Sequence, residues 1–168
     1  MDNGQLNSGV PTLQYTIGFE SPIGIVRLTA IDAGLTGVDF AEGSIVDSVG
    51  APAFVSQAIE QLQEYFEGKR RIFDTLPLAI RGTDFQMRVW DALDGVRYGQ
   101  TVTYGELTKE LKLDGGAQAV GQALTRNHLC LLIPCHRIVP AEGGVGGYAY
   151  GEERKRWLLA HERNQRDK

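Results

Sequence analysis

The chain has 168 residues, 42% of them hydrophobic, which suits one or two small domains with a real core. The net charge of −4 does not favour a polyanion-binding protein, and no apolar run approaches the roughly 20 residues of a membrane span. The N-terminus lacks the basic and apolar regions of a signal peptide, so we expect a soluble, cytoplasmic protein. The charge is uneven: residues 1–80 hold four Lys/Arg against ten Asp/Glu, and residues 81–168 hold 13 against 11. A polyanionic partner is expected at the second half, although chance explains the difference equally well.

The first half alternates short β-rich runs with turn residues. Residues 1–11 are expected to form a loose tail, and residues 12–80, including an extended linker, a small α+β domain. Apolar residues at helical spacing predict a helix over Phe54–Glu67, with Gly68 as its C-cap. Three antiparallel strands are predicted before this helix, at Gln14–Phe19, Ile25–Ala30 and Leu35–Phe40.

The second half, residues 81–168, is expected to be a mostly helical domain. Two capping-box patterns, Thr83–Gln86 and Thr103–Glu106, each predict the start of a helix. The sequence LDGG at residues 113–116 ends the second of these helices. Two further helices are predicted, at residues 117–126 and at Glu152–Glu162, the last with Trp157, Leu158 and Leu159 facing inward.

The two short helices within residues 103–126 form either a helix-turn-helix or the commoner ordinary helical hairpin. The second helix is unusually small-sided, with Ala117, Ala119, Gly121 and Ala123. Small side chains permit close packing between helices, and they also permit approach to a DNA minor groove about 6 Å wide. The residues alone do not decide between these interpretations.

The run LLIPCHRIVP holds Cys135 between two prolines. Cys130 lies five residues earlier on a segment expected to be extended, roughly 16 Å away, so a disulfide is not expected. The sequence contains no C-x-x-C pair, so a zinc site is not expected. Cys135 beside His136 is either a structural cysteine, the commoner case, or a nucleophile that needs a base. The glycine-rich run at residues 142–151 is either merely flexible or a wall over the thiol; it is not a dinucleotide fingerprint.

The string IPCHRIV resembles the active-site motif of the O6-alkylguanine-DNA alkyltransferases, the methylated-DNA–protein-cysteine methyltransferases. GTDFQMRVWDALDGVRYGQTVTYGEL, AVGQAL, RNHLCLLIPCHR and GGYAYGEERKRWLLAHE resemble family blocks in the expected order. These motifs cover about residues 82–162, and the first half fits by its strand and helix pattern. The resemblance implies a ribonuclease-H-like α+β domain followed by a helical domain with a DNA-binding helix-turn-helix.

The resemblance also implies a mechanism. The family binds duplex DNA in the minor groove, flips an O6-alkylguanine (or O4-alkylthymine) out of the stack, and transfers its alkyl group to a cysteine once per molecule. By this likeness Cys135 is the acceptor, His136 removes its proton through a water, and Glu162 orients His136. Tyr104 donates to the departing guanine, and Asn127 links the recognition helix to the cysteine. No cofactor or metal is implied, and a monomer is expected.

Further roles follow from the same resemblance. We expect the Cys135 sulfur to be ionised in a closed chamber, and Arg137 to form a buried ion pair across the domains. Residues expected to contact DNA are Tyr104, Gly105, Gln118, Ala119 and Gly121. Residues expected to wall the substrate pocket are Leu124, Val145, Tyr148, Ala149 and Tyr150.

Two residues depart from the family pattern. Gln118 stands where an arginine usually fills the gap left by the flipped base, which predicts weaker, more salt-sensitive DNA capture. Tyr150 stands in place of a glycine and is expected to exclude bulky alkyl groups. Three alternatives stay open: a damage sensor without transfer, a helix-turn-helix regulator, and a cysteine hydrolase. The first usually carries tryptophan at the cysteine, and the last needs an exposed thiol and an oxyanion hole.

Overall fold

The computed structural model describes residues 12–112 and 116–168. The predicted tail and most of the LDGG sequence therefore lie outside the described residues. Within those two ranges, no helix combines the length and the apolar character that crossing a bilayer requires.

The N-terminal half is an antiparallel three-stranded sheet covered by one helix, as predicted. Strands β1 (Tyr15–Ser21), β2 (Gly24–Ile31) and β3 (Gly34–Ala41) lie in sequence order. Helix α1 (Ala53–Phe66) buries one apolar face against the sheet. Gly68 ends it with φ 77°, and two bonds from residues 68 and 69 to the last-turn carbonyls (3.1 and 2.8 Å) complete a Schellman motif.

The C-terminal half is mostly helical, and both predicted capping boxes form. The last helix continues one turn beyond the predicted end at Glu162, because polar residues with good helix propensity follow its last apolar residue. The core is continuous between the halves. The elements are α2 (Asp84–Leu93), β4 (Val102–Thr103), α3 (Tyr104–Glu110), α4 (Ala117–Thr125), β5 (Ile138–Val139), parallel to β4, and α5 (Glu152–Arg166).

The outer edge of β3 joins the two halves. The Val38 N–H donates to the His128 carbonyl (2.8 Å), and the Cys130 N–H donates to the Val38 carbonyl (3.0 Å). Farther along β3, Leu35 exchanges backbone bonds of 2.8 Å with linker residues 77 and 79. The N-terminal sheet therefore aligns the segment that leads to Cys135.

This segment is not extended, contrary to the prediction. Leu131 has φ 72°, the Leu132 N–H donates to the Cys130 carbonyl (2.8 Å), and the Ile133 N–H donates to the Leu129 carbonyl (2.9 Å). The chain reverses here because Cys130 pairs with β3 while Ile133 pairs back onto Leu129. A short 3-10 turn, Cys135–Arg137, follows, and both cysteines are free thiols.

Candidate functional site

A cavity of about 520 Å³ lies between the α3–α4 pair and the glycine-rich loop that precedes α5. Its volume is that of a small-molecule site. The Cys135 side chain forms part of its wall. The lining residues are Tyr104, Ala117, Gln118, Gly121, Gln122, Leu124, Thr125, Cys135, Gly147, Tyr148 and Ala149.

The small residues of α4 mostly face outward. Ala117 and Ala119 are exposed, and a Cβ on Gly121 would meet, among the described residues, no atom within 4 Å apart from its own helix backbone and chain neighbours. Ala123 is the exception: it is buried, and its carbonyl accepts a bond from the Trp90 indole (2.9 Å). Close helix packing therefore does not explain Ala117, Ala119 or Gly121, which leave an open, narrow helix face.

Asn127, at the end of α4, holds the cysteine turn in place. Its Nδ2 donates to the Ile133 carbonyl (2.9 Å) and to the Cys135 sulfur (3.3 Å). Its Oδ1 accepts from the Leu129 N–H (2.8 Å). With every polar atom of its amide engaged, Asn127 fixes the thiol relative to α4.

The Cys135 thiol is only 6% exposed, and this burial raises its pKa above the ordinary thiol range. The Asn127 donor and the positive charge of Lys155 partly oppose this effect. The structure therefore favours a protonated thiol at neutral pH. It does not favour the thiolate, present before substrate binds, that was expected from the resemblance. A base is required at the moment of reaction.

His136 and Glu162 form a buried pair. His136 Nε2 lies 2.8 Å from Glu162 Oε1, and the buried Nδ1 has no hydrogen-bond partner among the described protein atoms. Burial lowers the pKa of His136, although Glu162 opposes this, so the ring is neutral near pH 7. With the proton on Nε2, facing the carboxylate, Nδ1 keeps the lone pair that a base needs.

Glu162 collects donors from both halves of the chain. Besides His136, it accepts two bonds from Arg137 (2.9 and 3.0 Å), one from the Tyr65 hydroxyl (2.8 Å) and one from the Gly99 N–H (3.2 Å). Burial raises the pKa of Glu162, but His136 and Arg137 outweigh it and hold that pKa well below the ordinary range. The prediction that Arg137 pairs across the domains is wrong, because its carboxylate lies in the same half; Tyr65 makes the link.

Tyr104 is the first residue of α3 and is half-buried at the cavity. The glycine-rich loop passes over it: a Cβ on Gly146 would lie 3.4 Å from the Tyr104 hydroxyl. Burial raises the pKa of Tyr104, so its hydroxyl is protonated and available as a donor. On the opposite wall, the Tyr148 hydroxyl lies 2.7 Å from the Cys130 sulfur, which fixes that ring.

Two family models match the chain. The 6-O-methylguanine DNA methyltransferase ribonuclease-like domain matches residues 14–80, and the 6-O-methylguanine DNA methyltransferase DNA binding domain matches residues 84–164. The methylated-DNA–protein-cysteine methyltransferase of Methanosarcina acetivorans is 42% identical over 152 residues, covering 88% of this chain and 96% of the relative. The chain belongs to the methylated-DNA–protein-cysteine methyltransferase family.

Solved members of the family share its fold. The crystal structure of the Mycobacterium tuberculosis O6-methylguanine methyltransferase matches with a TM-score of 0.81 at 37% identity, covering 91% of this chain and 94% of that one. The structure of Mycobacterium tuberculosis OGT in complex with DNA matches with a TM-score of 0.79 at 39% identity, covering 88% and 92%. The predicted family and the predicted α+β fold are both confirmed.

Some residues expected at a methyltransferase pocket lie elsewhere. Val145 and Tyr150 do not line the cavity described above, and Gly147 lies there instead. The Tyr150 ring packs edge-on against Phe40 of β3 (centroids 5.8 Å apart), and its hydroxyl donates to the Asn127 carbonyl (3.1 Å). Tyr150 faces the N-terminal sheet because that sheet offers its ring an aromatic surface. A direct role in excluding bulky alkyl groups is therefore not supported.

The predicted DNA contacts divide into two groups. Tyr104, Gln118 and Gly121 border the cavity, whereas Gly105 and Ala119 are exposed on α3 and α4 outside its lining. All five belong to the α3–α4 pair.

Lys155 is a buried residue next to the candidate site that sequence reasoning missed. It is 1% exposed on α5, and its Nζ donates to the carbonyls of Ile138 (2.6 Å) and Gly147 (3.1 Å). Burial lowers the pKa of Lys155 to about 8, and negative charge on the thiolate form of Cys135 opposes this. The available signal was its position seven residues before Glu162, which places both on one face of α5.

Proposed function

We propose that the chain repairs alkylated DNA by direct reversal, moving the alkyl group of O6-alkylguanine to Cys135. Methyl is the alkyl group considered first, with O4-alkylthymine as a secondary substrate. The observation that carries the proposal is the placement of the Cys135 thiol in the wall of a cavity bordered by α4 of a helix-turn-helix.

DNA is held at the outward face of α4. The exposed small side chains of Ala117 and Ala119 let the helix enter a minor groove, and Gln118 at the cavity rim enters the base stack. The alkylated oxygen of guanine lies on the major-groove side of the duplex. The base must therefore rotate out of the stack into the cavity before Cys135 reaches it.

The transfer is a single displacement at carbon. The Cys135 proton passes through a bridging water to Nδ1 of His136, whose imidazolium form is stabilised by the Glu162 carboxylate. The sulfur attacks the alkyl carbon, the S–C bond forms as the C–O bond breaks, and the electron pair leaves with guanine. The proton lost by the sulfur ends, in the net reaction, on guanine.

Tyr104 and Asn127 complete the site. The protonated Tyr104 hydroxyl donates to the guanine ring as negative charge develops there, because a bare guanine anion is a poor leaving group. Asn127 holds the sulfur in line with the cavity.

The thioether product is not cleaved by acid–base groups of this kind, so each molecule acts once. A thiol that must stay reduced fits the cytoplasm, where we place the protein.

The test is a mass measurement after incubation with duplex DNA carrying one O6-methylguanine. We expect one methyl group per protein molecule, on Cys135, and no further turnover with excess lesion. The tryptic peptide of residues 127–137 contains both cysteines, so Cys130→Ser is the matched control. This variant should accept the methyl group, and Cys135→Ser should not.

Each alternative gives a different result in the same experiment. A damage sensor binds the lesion with no gain in mass. A helix-turn-helix regulator binds one sequence with or without the lesion. A cysteine hydrolase consumes many equivalents of substrate. Any of these outcomes with wild-type protein would overturn the proposal.

A further inference from the structure

The N-terminal half places one side chain in the catalytic network. The Tyr65 hydroxyl, on α1, donates to Oε1 of Glu162 at 2.8 Å, across 97 residues of sequence. Tyr65 is 1% exposed. The N-terminal half of the chain, which holds none of the reacting groups, thereby contacts the carboxylate that orients His136.

Tyr65 is held so that its hydroxyl cannot turn away. Its ring packs against Phe66 (5.4 Å), Phe73 (5.7 Å) and Tyr98 (6.0 Å), measured between centroids. Its carbonyl lies 2.8 Å from Nε2 of His161 on α5. Burial and then the charge of Glu162 raise the pKa of Tyr65, so the hydroxyl stays protonated and acts as a fixed donor.

We propose that Tyr65 is a positioning residue for alkyl transfer, whose hydroxyl sets how much of the Glu162 charge is available to His136. The inference rests on the proposed function, in which His136 accepts the Cys135 proton. In this proposal a residue of the N-terminal half influences the proton affinity of His136.

The geometry supports this role because three groups share one carboxylate oxygen of Glu162. Glu162 Oε1 lies within 2.9 Å of three groups: the Tyr65 hydroxyl, His136 Nε2 and Arg137 Nη2. Each donor draws negative charge from that oxygen, so removing one strengthens the attraction for the others. Among the described residues, the other charged or titratable groups close to Tyr65, His136 and Glu162 are Cys135, Arg137, Lys155, Tyr98, His161 and, through the Gly99 carbonyl, Arg166.

Tyr65→Phe removes the hydroxyl and keeps the ring. Glu162 then stabilises the His136 imidazolium more strongly, and the ring becomes a free base only at higher pH. We expect the acid limb of the transfer rate to move upward by roughly 0.3 to 1 pH unit, the size of one neutral hydrogen bond. DNA affinity and the rate above that limb should stay within about twofold of wild type, since the hydroxyl acts through His136 alone.

Tyr98→Phe is the matched control. It removes a hydroxyl from the same aromatic cluster, but one without a hydrogen-bond partner among the described residues. Single-turnover rates on O6-methylguanine duplex are measured from pH 5 to 9 for both variants and wild type. The Tyr98→Phe profile should superimpose on that of wild type.

A second probe keeps the hydroxyl and changes its strength. Replacing Tyr65 by 3-fluorotyrosine makes it a stronger donor and should move the acid limb to lower pH, so it decides the question if Tyr65→Phe does not fold. If wild-type protein transfers methyl and neither Tyr65→Phe nor 3-fluorotyrosine shifts the pH profile of the rate, this inference is overturned and the proposed function stands. Wild-type protein without transfer overturns the proposed function.

Discussion

Among individual residues, Lys155 and Cys135 are two buried titratable groups whose charges affect each other. Each is buried, and burial disfavours the charged form of each: it lowers the pKa of the amine and raises the pKa of the thiol. Each charge stabilises the other, so the thiolate needed for attack is easier to form while Lys155 is protonated. The same amine also ties the loop carbonyl of Gly147 to α5.

Lys155→Met should therefore slow methyl transfer at pH 7 by roughly tenfold, the effect of about 1.4 kcal/mol on the barrier. The pKa of Lys155 is lowered to about 8, so above that pH the wild-type amine loses its charge and its advantage. The ratio of wild-type to variant rate should be largest below pH 8 and shrink toward pH 9.5. Single-turnover rates across this range measure it. Lys69→Met, at an exposed lysine on the N-terminal half, should change no rate, and a ratio constant with pH would refute the electrostatic account.

Among the elements, α4 carries the proposed DNA contacts, and Gln118 borders the cavity. In the proposed complex Gln118→Arg adds a cation close to the negatively charged DNA, so DNA binding should tighten. The slope of log affinity against log salt should steepen by about 0.9, as expected for one added cationic contact with DNA. This reverses the expectation that glutamine makes DNA binding more salt-sensitive, because a neutral side chain releases no counterion. Equilibrium binding to undamaged duplex at two or more salt concentrations measures this. Gln57→Arg, the same substitution on the exposed face of α1, is the control, and equal slopes for both variants would argue against α4 as the DNA-contacting helix.

The elements that sequence predicted well are those fixed by neighbours in the chain. Thr83 and Thr103 cap their helices through residues three positions later, and Gly68 ends α1 through the preceding turn. The reversal at Leu131 could not be read in this way. It exists because Cys130 pairs with Val38 of a distant strand, and such a partner leaves no local pattern.

At the scale of the whole molecule, the proposed catalytic groups lie where the two halves meet. The β3 edge aligns the cysteine segment, Arg154 of α5 donates to the Ile23 carbonyl (2.8 Å), and Tyr65 binds Glu162 (2.8 Å). Motif resemblance pointed to Cys135, His136 and Glu162 as candidates because they lie in the second half of the chain, within recognisable blocks. It did not point to Tyr65, because the contact of its hydroxyl with Glu162, 97 residues away in sequence, exists only in the tertiary fold.

Glu162, the proposed orienting carboxylate, also contributes to the stability of the fold. Its pKa is held well below the ordinary range in the folded state, so it contributes stability that is fully present above about pH 4.3, the usual unfolded value. That contribution is lost as pH falls further, because the unfolded chain takes up the proton first. Glu162→Gln leaves Arg137 buried without its counter-charge, and should destabilise the fold by about 3–5 kcal/mol at pH 7.

The pH dependence makes this prediction specific to charge. Because the Glu162→Gln variant lacks the titrating carboxylate, the difference in unfolding free energy between it and wild type should narrow steadily from pH 5 to pH 3. Urea unfolding followed by circular dichroism at each pH measures this difference. Glu60→Gln, on the exposed face of α1, should stay within about 0.5 kcal/mol of wild type throughout. A difference between wild type and Glu162→Gln that stays constant from pH 7 to pH 3 would mean that packing around residue 162, and not its charge, holds the two halves together.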